Sequence, residues 1–157
     1  MVTLANVYEK FGEVSEAAQL LETELGTMLL ENECLDADLI RRPDTAKASE
    51  ILQKINKHTL GRLIFALKAK QKDLAVSALM LEKALDARNF LSHSFYRHHN
   101  FRRNSPEGRE LMLNDLERLH REILDAYLAL LSASGVNMDE QIASGENSHL
   151  PIKWVKI

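Results

Sequence analysis

Cysteine is almost absent from this chain, which has a single cysteine, Cys34, among 157 residues. One thiol cannot form a disulfide within the chain or a zinc site with several cysteine ligands. Sparse cysteine is also usual in proteins of a reducing compartment. The composition therefore predicts a cytoplasmic protein.

Long apolar runs are missing as well. Uninterrupted apolar stretches such as residues 63–67 are far shorter than the roughly 20 residues that span a bilayer. Acidic residues occur from Glu9 onwards, without the basic start and apolar block of a secretory signal. Neither a membrane crossing nor an export signal is expected.

Charge of one sign does not dominate the chain, whose net charge is −3, but the charge is unevenly distributed. Residues 88–109 contain five arginines and a single carboxylate, so this segment carries +4 and the remainder −7. The arginines are Arg88, Arg97, Arg102, Arg103 and Arg109. A polyanion is expected to bind at this segment rather than over the whole surface.

Apolar residues recur every three or four positions through most of residues 1–135, which is the period of one helix face. Two short helices are predicted after the first, one capped by Asp44 or Thr45 and one capped by Thr59. The polar run 68–73 is interpreted as a turn or helix junction. The first stripe consists of Leu4, Tyr8, Phe11, Val14, Ala18, Leu21, Leu25 and Met28.

Two further helices are predicted around the basic segment. Residues 100–104 are interpreted as a basic loop, and Ser105 with Pro106 as the start of the last helix, which Gly135 is placed to end. The stripe of the fourth helix is Leu74, Ala78, Leu81, Leu85, Arg88, Ser92 and Phe95. The stripe of the fifth is Met112, Leu116, Leu119, Ile123, Ala126, Leu130 and Ala133.

These stripes predict an all-α fold, an up-and-down bundle of four to five helices in residues 1–135. Residues 136–157 are predicted to form a tail that is either disordered or docked through Trp154. The last helix has a wider apolar surface than one seam requires, so it is either a dimer interface or buried on two sides within one subunit. The additional apolar residues are Leu113, Leu124, Leu128 and Leu131.

The fourth helix turns polar at residues 88–93, whose sequence is RNFLSH. On a helix that turns about 100° per residue, Asn89 and His93 share a face. Arg88 is rotated away, so its long side chain must reach around the backbone to join His93. An arginine, an amide and an imidazole are all suited to phosphate chemistry.

An arginine followed by a polar residue, three further residues and a histidine resembles the R-x(4-6)-H signature of HEPN domains. The likeness extends to residues 59–63 and to the helical layout. The resemblance implies a homodimer and, in active members, a metal-independent endoribonuclease, often a toxin or a defence component with an antitoxin or other partner protein. Arg88 and His93 match the signature residues, and Asn89 matches the polar residue that follows the arginine.

The chemistry of these residue types fits RNA cleavage. An imidazole that titrates near neutrality can take the proton of a ribose 2′-hydroxyl as it attacks the adjacent phosphate. Arginine would stabilise the crowded phosphate, and the products would be a 2′,3′-cyclic phosphate and a 5′-hydroxyl. DNA lacks the 2′-hydroxyl and is expected to be inert.

Three readings of the residues alone stay open. Arg88 is either a phosphate ligand or an ion-pair partner for a carboxylate of a neighbouring helix, and His93 is either catalytic or simply solvated. The chain is then an enzyme, a non-catalytic module that binds a nucleotide, RNA or a partner protein, or a structural bundle.

Cations and aromatic rings alternate after the motif and are predicted to bind RNA phosphates and unpaired bases, the alternative being a solvated basic loop. The predicted RNA-binding residues are Tyr96, Arg97, His98, His99, Arg102 and Arg103. Adjacent His98 and His99 are expected to point apart on a helix. No metal site and no cofactor are predicted.

Overall fold

The computed structural model describes residues 1–70 and 78–133, and within these ranges the chain is helical. Six α-helices are described, with a 3-10 helix at Asn100–Asn104 before the last. They are α1 (Leu4–Asp36), α2 (Thr45–Ile55), α3 (Leu60–Lys70), α4 (Ala78–His93), α5 (Phe95–His99) and α6 (Pro106–Ala133). The all-helical prediction is confirmed, with more helices than the four to five expected.

Short polar side chains set the starts of several helices. Asp44 accepts a hydrogen bond from the backbone N–H of Lys47 at 3.0 Å, and α2 begins at Thr45 as predicted. The hydroxyl of Ser105 accepts from the N–H of Gly108 at 3.0 Å, and α6 begins at Pro106. Each cap satisfies an N–H that has no partner inside its own helix.

The core lies mainly where the long helices α1 and α6 pack together, with α3 and α4 against them. The predicted stripe of α6 is buried along most of its length. On α1 the predicted stripe is wrong near its start. Val7 is buried, whereas Tyr8, which was assigned to the buried face, is 49% exposed. Val7, Val14 and Leu21 are seven residues apart, so they share a face that Tyr8, one residue further on, does not.

The predicted fourth helix is interrupted at Ser94, where φ is −130°. α4 therefore ends at His93 and the short α5 begins at Phe95. The predicted basic loop at residues 100–104 is a 3-10 helix. It starts at Asn100, whose φ of 36° lies in a region where asparagine is one of the better tolerated residues.

Several predicted features fall partly or wholly outside the described residues. α3 continues through Lys70, so the first three residues of the junction predicted at 68–73 are helical. Residues 71–77, including Leu74, lie outside the described ranges, as do Gly135 and the tail at 136–157. In the part of the chain that is described, no helix combines the length and apolarity needed to cross a bilayer.

Arg109 connects the first residues of the chain to the 3-10 helix through hydrogen bonds. Its Nε donates to the carbonyl oxygen of Val2 at 2.8 Å, and its Nη1 donates to the carbonyl oxygen of Arg103 at 3.1 Å. One of the five arginines of the basic segment is thus engaged with backbone carbonyls. The first residues of the chain lie beside that segment.

Candidate functional site

Arg88 extends from the half-buried side of α4 toward α1. Its Nη2 lies 2.8 Å from Oε1 of Glu22, and its Nη1 donates to Oδ1 of Asn89 at 3.3 Å. The contact with Glu22 has the distance of an ion pair but not the angle of a directed hydrogen bond. Of the two roles open to Arg88, the structure shows the ion pair with a neighbouring helix.

His93 is the last residue of α4 and its side chain is exposed. Asn89 is exposed one turn earlier on the same face, as the helical spacing predicted. No hydrogen bond joins the His93 ring to another residue in the described ranges, whereas its backbone carbonyl accepts from Arg97 at 3.0 Å. The structure therefore brings Asn89 to Arg88 and leaves the imidazole open to solvent.

The residues after His93 form an exposed basic surface, here called the basic segment surface. It is made of His93, Tyr96, Arg97, His98, Phe101, Arg102 and Arg103, all of them exposed. Phe101, at 77% exposure, is among the most exposed aromatic side chains. Cations and exposed rings lie side by side, which suits binding to phosphates and unpaired bases.

His99 was expected on this surface, but its side chain is buried, with 1% exposure. Phe95 is also fully buried, one helical turn before it, and the two ring centroids are 4.5 Å apart. Residues four apart on a helix share a face, so α5 buries these two rings together. This conformation leaves no room for a base to stack on His99.

A chain of polar contacts through His99 joins the 3-10 helix to α6. Nη1 of Arg102 lies 3.2 Å from Nδ1 of His99, and Nε2 lies 3.2 Å from Oδ2 of Asp115. Because a guanidinium only donates, Nδ1 must accept and the ring proton lies on Nε2, facing Asp115. Burial lowers the pKa of His99, and the neighbouring Asp115 carboxylate opposes this shift.

His98, His99 and Asp115 place potential metal-ligating atoms within 4.8 Å of one another. The two histidines were expected to point apart; His98 is exposed and His99 is buried, yet their ring centroids are only 5.0 Å apart. Arg102 nevertheless fixes the proton on Nε2 of His99, and Arg118 lies 3.8 Å from Asp115. Two guanidinium groups thus lie beside this cluster, and their positive charge disfavours a metal ion there.

His120 is the second buried histidine among the described residues, with 3% exposure. Nζ of Lys10 lies 2.9 Å from its Nδ1. Burial and the neighbouring ammonium together lower the pKa of His120 to about 4, although Glu13 raises it slightly. The ring is neutral in the folded protein over most of the pH range in which a free imidazole takes up a proton.

The free energy of unfolding is expected to fall by about 2 kcal/mol between pH 7.5 and pH 5.0 through His120. The unfolded ring takes up its proton near pH 6.5 and the folded ring only near pH 4, so stability is lost as pH falls between these values. Urea denaturation at both pH values measures the difference. In His120→Gln the free energy of unfolding should keep only the pH dependence that is due to His99 and the carboxylates. If the pH dependence were unchanged, His120 would not be its source.

A double-mutant cycle on Arg88 and Glu22 is expected to give a coupling energy of about 1 kcal/mol. The two side chains are only 25% and 31% exposed, so water screens this pair less than a surface pair. Urea denaturation of Arg88→Met, Glu22→Met and the double variant measures the coupling. The control is Lys68 with Glu82, also 2.8 Å apart, where Glu82 is 61% exposed and the coupling should be smaller. Equal coupling in both cycles would show that the Arg88 pair is no more than a surface contact.

The sequence matches no protein-family model, and no curated protein or solved structure matches it either. The resemblance to HEPN domains therefore depends on residues 59–63 and 88–93 and on the helical architecture.

Sequence reasoning missed two acidic residues that hold the site together, Glu22 and Asp115. Neither has a local signal, because each meets its partner from a distant helix. The burial of His99 does have a local signal in the sequence, which is its four-residue spacing from Phe95. That spacing separates His99 from the exposed residues around it.

Proposed function

We propose that this chain is a metal-independent endoribonuclease of HEPN type that acts as a homodimer, as a toxin or defence component. The observation that carries the proposal is the exposed His93 imidazole at the end of α4, followed directly by the basic segment surface. An accessible base beside cations and rings is what cleavage of single-stranded RNA requires.

In the proposed reaction His93 takes the proton of a ribose 2′-hydroxyl. The 2′-oxygen forms a bond to the adjacent phosphorus, and the bond from phosphorus to the 5′-oxygen breaks. The 5′-oxygen leaves with a proton, giving a 2′,3′-cyclic phosphate and a 5′-hydroxyl. Arg88 stabilises the charge on the phosphate once it exchanges Glu22 for the substrate, and Asn89 orients the guanidinium.

The geometry of this displacement supports the proposed dimer. The entering and leaving oxygens lie on opposite sides of the phosphorus, so one imidazole cannot serve both at once. A second copy of the chain would supply the acid through its own motif. The α6 interface was one of the two alternatives for its wide apolar surface, and of those additional residues Leu128 is 41% exposed while Leu131 is buried.

The proposal is tested by incubating the purified protein with single-stranded RNA in excess chelator. Fragments with 2′,3′-cyclic phosphate and 5′-hydroxyl ends are expected, and DNA of the same sequence should stay intact. Treatment with a kinase that labels 5′-hydroxyl ends identifies the products. Cleavage that stops in chelator, or fragments with 5′-phosphate ends, would contradict the mechanism.

A second candidate, a non-catalytic module that binds RNA, is favoured by the ion pair between Arg88 and Glu22. In this state the guanidinium is engaged within the subunit. Such a module would bind RNA through the basic segment surface without cutting it. Binding without cleavage in the chelator experiment would select this candidate.

Arg103→Ala is expected to weaken RNA binding and to reduce the salt dependence of the binding constant by about one phosphate contact. Arg103 is the best choice because its side chain is exposed, whereas Arg97 and Arg102 contact His93 and His99. Fluorescence anisotropy with labelled RNA at several salt concentrations measures the slope. Arg41→Ala, an exposed arginine outside the basic segment surface, is the control. If the binding constants of both variants depended equally on salt concentration, the basic segment surface would not be the RNA-binding surface.

A further inference from the structure

Tyr8 is an aromatic side chain near the start of α1, and 49% of it is exposed. The same end of the chain is connected to the basic segment, because Arg109 binds the carbonyl oxygens of both Val2 and Arg103. A single exposed ring on a protein surface is ordinary. Its surroundings therefore decide whether it can bind a ligand.

Tyr96 of α5 packs against the part of α1 that carries Tyr8. Phe11 lies one turn after Tyr8, and its ring centroid is 5.1 Å from that of Tyr96. Tyr96 also contacts the fully buried Phe95, at a centroid distance of 5.2 Å. Burial and the nearby Tyr8 raise the pKa of Tyr96, in agreement with this proximity. Tyr8 and Tyr96, here called the tyrosine platform, are thus exposed rings that two helices bring close together.

The helix surface next to Tyr8 is bare. Gly12 is exposed one turn after Tyr8 on the same side of α1, and a Cβ placed there would meet nothing in the described ranges within 4 Å. Packing does not require a glycine at this position, and glycine lowers the stability of a helix. A flat ring can therefore lie against Tyr8 without displacing another side chain.

The charges around the tyrosine platform limit what it can bind. On α1, Phe11 and Glu9 are rotated by about −60° and about +100° from Tyr8, so the exposed Glu9 lies away from the side that meets Tyr96. On that side Tyr96 is followed by the exposed Arg97 of the basic segment surface. A phosphate is attracted to the guanidinium and repelled by the carboxylate. The backbone of a bound strand would stay on the basic segment surface, and an uncharged base would extend onto α1.

We infer that the tyrosine platform binds one unpaired base of a single-stranded RNA whose phosphates lie on the basic segment surface. The base stacks on Tyr8 and covers Gly12. This inference rests on the RNA binding in the proposed function and adds a contact on α1 to it. Every base has a flat face, so the site distinguishes unpaired from paired bases and does not read the sequence.

The test is the binding of a labelled single-stranded 2′-O-methyl RNA, which cannot be cleaved by attack of a 2′-hydroxyl, to the full chain and to Tyr8→Leu. Leucine keeps the apolar bulk but has no flat ring, so the dissociation constant measured by fluorescence anisotropy should rise about tenfold. The salt dependence should not change, because no phosphate contact is lost. Tyr8→Phe keeps the ring and should bind as the parent does.

Phe65→Leu is the matched control, because it removes a 76% exposed ring from α3 and should leave binding unchanged. A duplex RNA of the same sequence should bind the parent and Tyr8→Leu equally, since its bases are already paired and stacked. An equal loss of duplex binding in Tyr8→Leu would overturn the inference.

Undiminished single-strand binding by Tyr8→Leu, with its fold verified by circular dichroism, also overturns the inference. If that variant does not fold, Gly12→Gln replaces it, because a long uncharged side chain would cover the bare helix surface and weaken binding several-fold. Undiminished binding by Gly12→Gln then overturns the inference in the same way. In these cases the parent still binds RNA and only the tyrosine platform fails. A parent chain that binds no single-stranded RNA would overturn the basic segment surface as well.

Discussion

Replacing His93 with alanine is expected to lower the rate of RNA cleavage by about 10²–10⁴-fold while leaving the fold intact. The ring is exposed and makes no hydrogen bond to the described residues, so its removal costs little stability. Its loss removes the group that takes the proton of the 2′-hydroxyl. Single-turnover rates with a labelled RNA measure the effect.

His98→Ala is the matched control, because it removes another exposed imidazole from the same surface. This variant should bind RNA more weakly but keep most of the cleavage rate at saturating protein. Equal losses in the two variants would assign His93 to binding. Unchanged cleavage by His93→Ala would exclude it from the reaction altogether.

Replacing Gly108 with alanine is expected to lower the free energy of unfolding by about 3 kcal/mol. Gly108 is buried in the first turn of α6, against the 3-10 helix. An added Cβ would overlap the carbonyl oxygen of Arg102 and lie 2.7 Å from its carbonyl carbon. A backbone carbonyl cannot rotate aside as a side chain can, so the 3-10 helix must shift.

Urea denaturation measures the loss, and Gly12→Ala serves as the control. A Cβ at Gly12 meets nothing within 4 Å, and alanine favours a helix more than glycine does. Gly12→Ala should therefore stabilise the protein by about 1 kcal/mol. A Gly108→Ala protein as stable as the parent would show that the 3-10 helix is not held tightly against α6.

The helical fold could be predicted because its signals are local. Apolar spacing marked the buried faces, and short polar residues such as Asp44 and Ser105 marked the starts of helices. The residue that faces the core was harder to predict where two apolar residues are adjacent, as with Val7 and Tyr8. Both fit a helical period, and only packing against α6 decides between them.

The candidate site was predictable in its residues but not in its contacts. Asn89 and His93 lie on one exposed face, as their spacing indicated. The carboxylate that meets Arg88 comes from α1, and no local pattern points to it.

The contacts of Arg109 have a practical consequence for any measurement of nucleic-acid binding. Since this guanidinium holds the carbonyl of Val2 near that of Arg103, a peptide fused ahead of Met1 would emerge next to the cationic face. An oligohistidine or acidic leader in that location would add spurious affinity or block access. Purification handles are therefore best removed before RNA is added.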